Sequence, residues 1–149
     1  MTTDRRFKRP ESVLVVIYTR SLECLLLERA TPRGFWQSVT GSLAWDETPA
    51  ECAAREVREE TGLATDGLLD ARREHVFAIM PSFRHRYAPG VENNLEHLWY
   101  LERPTIEPVR LEATEHVAFE WLPIDAAIAR VSSWTNRAAL EHLAQWAVR

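Results

Sequence analysis

Gly41 to Leu63 reads GSLAWDETPAECAAREVREETGL, and this stretch punctuates a helix at both ends. Thr48-Pro49-Ala50-Glu51 offers an N-cap hydroxyl, a proline at the first helical position and a glutamate at the third, which is a capping box. Gly62 supplies the left-handed C-terminal cap. The spacing therefore predicts a helix from Thr48 to Thr61. Glu56, Glu59 and Glu60 lie three and four residues apart and share one face of it. Ala50, Ala53, Ala54 and Val57 form a neighbouring apolar stripe that packs on the rest of the protein, leaving the carboxylates at the edge of the contact. Like charges on one face repel, and a helix gains nothing from that. A divalent cation bound by hard oxygen ligands would remove the repulsion, and Mg²⁺ suits one or two carboxylates plus substrate phosphates. Acidic runs on helices are otherwise mostly solvated faces, with Arg55 and Arg58 making weak surface pairs.

The full string decides between these readings. Gly41, Glu47, Arg55, Glu56, Val57, Glu59, Glu60, Gly62 and Leu63 fill every fixed position of the pattern G-x5-E-x7-R-E-U-x-E-E-x-G-U, where U is aliphatic. From average residue usage a chance match is on the order of one in a billion per starting position. The segment is similar to the catalytic box of the Nudix hydrolases, with no departure from it. That resemblance implies an α/β (α+β) fold, an α/β/α sandwich around a central mixed sheet, in one domain spanning residues 1–149 with the box at 41–63. It implies Mg²⁺ as cofactor, with Mn²⁺ as a substitute, and Glu56 and Glu60 as principal metal ligands. Glu59 is implied as a further ligand or as a base. Arg55 is implied to orient a glutamate, and Glu47 to buttress the loop. The base varies within the family and often lies outside the box. Glu115, in TEHVAFEW, is the residue the resemblance selects here as base or additional ligand.

The flanking segments narrow the resemblance. KRPESVLVVIY, FWQSVTGS, RHRYAPGV, TEHVAFEW and SWTNRAALE resemble the bacterial members of that family that cleave dihydroneopterin triphosphate to the monophosphate and pyrophosphate in folate biosynthesis. A triphosphate needs cations, and Lys8, Arg29, Arg84, His85 and Arg86 supply them outside the acidic box. A flat pterin needs an aromatic shelf, for which Trp36, Phe35, Phe83 and Trp134 are available, and polar partners such as Thr40, Gly41, Ser82 and Thr135. Thr135 stands where the resembling enzymes often have serine. A Nudix (d)NTP pyrophosphatase is the main alternative, since it needs the same helix and a different base pocket. A non-catalytic sensor of the same fold is disfavoured because every box glutamate is present.

Outside these segments the chain reads as strands and helices in alternation. Ser12 to Tyr18 is almost wholly apolar, as in a strand buried on both faces, and Glu23 to Arg29 follows as its hairpin partner. Trp36 to Thr40, Glu74 to Met80, Leu95 to Glu102 and His116 to Leu122 read as further strands. Pro81 to Asn94 reads as an irregular segment carrying function. Ile124 to Val131 and Asn136 to Val148 read as helices, the second with an apolar stripe of Leu140, Leu143, Ala144 and Ala147. The chain has 149 residues and a formal net charge of −4, which argues against a nucleic-acid partner, as does the lack of a dense basic run. Cys24 and Cys52 make no metal spacing and read as buried thiols in a reducing compartment. Met1 to Pro10 has no apolar leader, and no stretch approaches the roughly 18 apolar residues of a membrane span. The expectation is a cytoplasmic monomer or homodimer acting on a small-molecule triphosphate.

Overall fold

The computed structural model describes residues 4–147, so the expected helix end at Val148 and the residues before Asp4 lie outside the described residues. The elements in chain order are β1 (Glu11–Thr19), β2 (Glu23–Arg29), β3 (Trp36–Gln37), β4 (Val39–Ser42), α1 (Pro49–Thr61), β5 (Leu69–Ala78), β6 (Asn93–Arg103), β7 (His116–Pro123), α2 (Ile124–Arg130) and α3 (Trp134–Ala147). One mixed sheet runs in the order β3-β2-β1-β6-β5, with β4 added to β1 and β7 to β2. β1 and β6 are parallel, and the remaining pairs are antiparallel.

β1 explains why the sheet is covered on both sides. Val13, Val15 and Ile17 enter a core with Cys52, Ala53 and Val57 of α1. Leu14, Val16 and Tyr18 point the other way, into a core with Ala127 of α2 and Ala139, Leu140 and Leu143 of α3. A strand has period two, so an unbroken apolar run is what two covered faces require. This is the expected α/β/α sandwich.

Several boundaries differ from the sequence reading for identifiable reasons. The β1–β2 hairpin shrinks to one register pair, Tyr18 with Cys24. β4 takes the other half of that edge of β1, from Ser12–Ser42 to Val15–Val39. The single strand expected over Trp36 to Thr40 is broken at Ser38. Its N–H donates to Asn136 Oδ1 at 2.7 Å, and its hydroxyl accepts from Asn136 Nδ2 at 2.9 Å. This buried side-chain pairing replaces the strand ladder there. The segment after β5 is not wholly irregular, since Pro81–Arg86 forms a 3₁₀ turn. β5 begins five residues before the predicted Glu74, at Leu69.

Both helix stripes are also redrawn. In α1 the capping box forms with both of its bonds, and Gly62 adopts φ 74° with its N–H on the Arg58 carbonyl. Ala50 is exposed, however, and the buried face is Cys52, Ala53, Glu56, Val57, Glu60 and Thr61. Two of the glutamates are therefore on the packed face itself, not beside it. In α3 the buried face is Thr135, Asn136, Ala139, Leu140 and Leu143, while Ala147 is exposed. Cys24 and Cys52 are buried free thiols.

Asn136 is fully buried and holds Ser38 through two hydrogen bonds. Asn136→Ala would leave the Ser38 N–H without its acceptor. Urea unfolding should show a loss of roughly 1–3 kcal/mol. An unchanged unfolding midpoint would mean the strand break has another origin.

Candidate active site

Burial divides the three box glutamates. Glu60 is 1% exposed and Glu56 9%, whereas the Glu59 side chain stands largely in solvent. Both Glu60 carboxylate oxygens are buried with no hydrogen-bond partner among the described residues. Burial raises the Glu60 pKa well above the usual carboxylate value, and the neighbouring Glu56 and Glu115 raise it further, with only the nearby Thr40 backbone N–H acting the other way. Removing water from an unpaired carboxylate opposes its ionisation, and like charges add to that opposition. His116 Nε2 lies 3.8 Å from Glu60 Oε1 but offers little relief. Burial, aided by the charge of Arg29, pushes the His116 imidazole down to about 4, so it is neutral near pH 7.

Gly41 creates the place where Glu56 sits. It lies on β4, paired with Val13, and a Cβ there would overlap the Glu56 carboxyl group. The missing side chain thus gives one carboxylate room against the sheet.

Arg55 gathers the acidic groups from the loop side. Its Nε and Nη2 fork onto Glu47 at 2.7 and 2.8 Å. Its Nη1 donates to Glu56 at 2.7 Å and to Glu59 at 3.1 Å. The fork is the geometry guanidinium groups favour with carboxylates. Together with the Ala44 N–H it holds Glu47 at about 2. Glu47 in turn fixes the loop before α1 by accepting from the Ala44 N–H at 3.0 Å.

A second clamp on this loop escaped the sequence reading. Arg9 Nη1 donates to the carbonyls of Ala44, Trp45 and Glu47 at 2.9, 3.3 and 3.0 Å. Glu11 holds the rest of that guanidinium, and His97 Nε2 lies 2.6 Å from the other Glu11 oxygen. No periodicity marks Arg9; the chain only brings it to residues 44–47 because β1 and β4 pair.

The cations converge on the same end of the sheet. The ammonium of Lys8 has its pKa lowered by desolvation, then by the charges of Arg86 and Arg29, with Glu56 acting the opposite way. Lys8 also donates its backbone N–H to the Arg86 carbonyl at 2.8 Å. Arg29 lies over the Phe35 ring, and Arg86 over the Phe83 ring. Glu115 is raised by desolvation, then by Glu56, Glu59 and Glu112, so it faces the acidic cluster although its side chain is exposed.

Arg84 and His85 are exposed and line a surface depression with Tyr87, Pro89 and Gly90. Arg84 donates Nε to the Ile79 carbonyl at 3.3 Å. Of the loop cations, it is Arg86 whose charge reaches Lys8. Trp36 is half-buried against the α2–α3 core, with the Arg130 guanidinium over its ring at 5.1 Å. Thr40 donates its hydroxyl to the Val13 carbonyl at 2.9 Å. Ser82 is exposed at the start of the 3₁₀ turn, and Thr135 is buried at the start of α3.

As the side chains stand, no three acidic, histidine or cysteine groups among the described residues are arranged to hold an ion. Arg55 engages Glu56 and Glu59 instead. Yet the donor set fits a hard cation, because Glu60 presents two orphaned buried oxygens beside Glu56 and Glu115.

The NUDIX domain profile matches residues 8–146, and the chain belongs to the Nudix family. It is 43% identical over 143 residues to dihydroneopterin triphosphate diphosphatase of Escherichia coli K12, covering 93% of this chain and 94% of that one. The Haemophilus influenzae enzyme of the same name is 37% identical over 141 residues, covering 91% and 88%. The solved structure of the E. coli dihydroneopterin triphosphate pyrophosphohydrolase superposes with a TM-score of 0.84 at 42% identity, covering 91% of this chain and 95% of that one.

Gly41→Ala tests the seat of Glu56 without touching a carboxylate. The Glu56 side chain is flexible at its tip, so the variant should fold with its thermal transition near that of the unchanged chain. Triphosphate hydrolysis should fall by about a hundredfold, the cost of displacing a reacting group by about an ångström. Undiminished hydrolysis would remove Gly41 from the site.

Proposed function

We propose that the chain is a Mg²⁺-dependent hydrolase that converts dihydroneopterin triphosphate and water to dihydroneopterin monophosphate and pyrophosphate, a step of folate biosynthesis in the cytoplasm. The observation that carries the chemistry is the juxtaposition at one sheet end of buried Glu56 and Glu60 with Lys8, Arg29 and Arg86. The choice of substrate rests on the relatives named dihydroneopterin triphosphate diphosphatase, which match nearly end to end.

In this reading Glu56 and Glu60 hold the cation, with Glu59 and Glu115 completing the acidic rim. Mn²⁺ would substitute, being an oxygen-seeking divalent ion. The bound ion supplies charge neutralisation on the diphosphate and lowers the pKa of the attacking water. The remaining work belongs to side chains. Lys8, Arg29 and Arg86 bind phosphate oxygens, Arg as a fork and Lys as a point charge. Arg55 holds Glu56 in place through Nη1 and is itself fixed by Glu47. Glu115 takes the proton of the attacking water; its pKa, raised by desolvation and by Glu56 and Glu59, moves it toward neutrality, as suits a base. The anhydride linking the α and β phosphates breaks, and pyrophosphate leaves.

Pyrophosphate release should be measured with Mg²⁺ against dihydroneopterin triphosphate and a panel of (d)NTPs. Dihydroneopterin triphosphate should give the highest kcat/KM, and a chelator should abolish turnover. A nucleotide favoured by more than about tenfold, about 1.4 kcal/mol in the barrier, would transfer the assignment to a (d)NTP pyrophosphatase.

A further inference from the structure

The face of the sheet opposite α1 holds buried polar groups that the phosphate chemistry does not use. Asn94, Glu96, Leu98 and Tyr100 alternate along β6 and share one face. Leu98 and Tyr100 fill the core beneath α3. Asn94 and Glu96 continue the same face toward the end of the sheet where the Leu95 N–H meets the Pro10 carbonyl and the Lys8 N–H meets Arg86. The two side chains are 2% and 5% exposed. Asn94 Nδ2 donates to Ser12 Oγ at 2.8 Å, which leaves Oδ1 as a free acceptor. Asn94 Oδ1 and Glu96 Oε1 are buried with no hydrogen-bond partner among the described residues. His75, the register neighbour of Glu96 on β5, has an unpartnered Nδ1 as well.

The fold has no evident use for these acceptors. Apolar side chains would continue the packing of Leu98 and Tyr100, whereas each unpaired buried acceptor costs stability. Burial pushes the Glu96 carboxyl up to about 7, against the opposing hydrogen bond from Thr135. Unpaired acceptors sunk beside a reaction site are what a ligand with matching donors requires. Aromatic surface lies next to them: Trp134 is 57% exposed and stands edge-on to His75 at 5.5 Å.

We propose that Glu96 and Asn94 form the subsite that reads the heterocycle, selecting a ring edge that presents an amino group beside a ring N–H. The identity of that heterocycle as a pterin rests on the function proposed above. A carboxylate accepts two parallel N–H donors in a bidentate pair. The 2-amino group and the adjacent ring N–H of a dihydropterin supply them, and guanine carries the same edge. Adenine places an acceptor nitrogen next to its amino group and would meet Glu96 lone pair to lone pair. Thr135 is then the residue that orients Glu96, and Trp134 offers its ring to the flat ligand.

The test is the ratio of kcat/KM on dihydroneopterin triphosphate to kcat/KM on ATP, and the same ratio for GTP over ATP. Both are measured for the unchanged chain, Glu96→Gln and Glu96→Asp. Glu96→Gln should lower both ratios by at least about tenfold, since the amide replaces one of the two acceptor oxygens with an NH2 donor that faces a ligand N–H. Glu96→Asp, which keeps the charge and withdraws it by one methylene, reports the same ratios should the glutamine variant fail to fold. Unchanged ratios in a folded variant, or an equal loss on all three substrates, would overturn the subsite. If the unchanged chain fails to turn over dihydroneopterin triphosphate, the pterin reading falls. A GTP-over-ATP ratio that collapses in Glu96→Gln would still support the subsite.

Discussion

Glu56 and Glu60 project from the buried face of α1, one turn apart, and Glu56 fills the space left open by the absent side chain of Gly41. The rest of the site is arranged around that placement. A helix face that packs on a sheet ordinarily carries alanine and valine, and here Cys52, Ala53 and Val57 do so. Setting two carboxylates on the same face costs solvation that the protein returns only in part. Glu56 receives a guanidinium from Arg55, while both Glu60 oxygens remain unpartnered. An unpaired buried charge of this kind shifts its pKa or waits for a cation.

The sheet topology brings the complementary charges to this point. β1 pairs with β4 on one edge and runs parallel to β6 on the other, so Lys8 and Arg9, just before β1, lie beside the loop that leads into α1. β2 runs antiparallel to β1 and returns Arg29 to the same end. The 3₁₀ turn after β5 contributes Arg86. Cations and carboxylates therefore meet from segments spread along the chain from Lys8 to Glu115. Arg55 and Arg9 hold the intervening loop through side-chain and carbonyl contacts, so its shape is set before a substrate arrives.

The box was legible because its information is local. Capping box, glycine cap, glutamate spacing and Arg55 all act within one turn or two of helix, and each appears where the spacing places it. Spacing alone did not separate Glu56 and Glu60, which are buried, from Glu59, which is exposed; only the family resemblance set them apart. The apolar stripe read from Ala50, Ala53, Ala54 and Val57 is rotated from the one that packs, because Ala50 lies exposed near the helix start. Arg9 carries no periodic signal, and its partners are fixed only by strand pairing. Trp36 read as an available shelf, and its packing against the α2–α3 core follows a break at Ser38 that depends on Asn136, almost a hundred residues away. Glu96 did leave a trace: a charged residue on the same alternating face as Leu98 and Tyr100 breaks the apolar pattern of a central strand.

The direct measurement of the central claim is the melting temperature of the unchanged chain and of Glu60→Gln, each with Mg²⁺ and with a chelator. An unpaired buried carboxylate kept for a cation is a cost to the ion-free fold. Glu60→Gln should melt above the unchanged chain in chelator, and only the unchanged chain should gain stability with Mg²⁺. A glutamine variant that melts lower in chelator, or that still responds to Mg²⁺ as the unchanged chain does, would contradict the account.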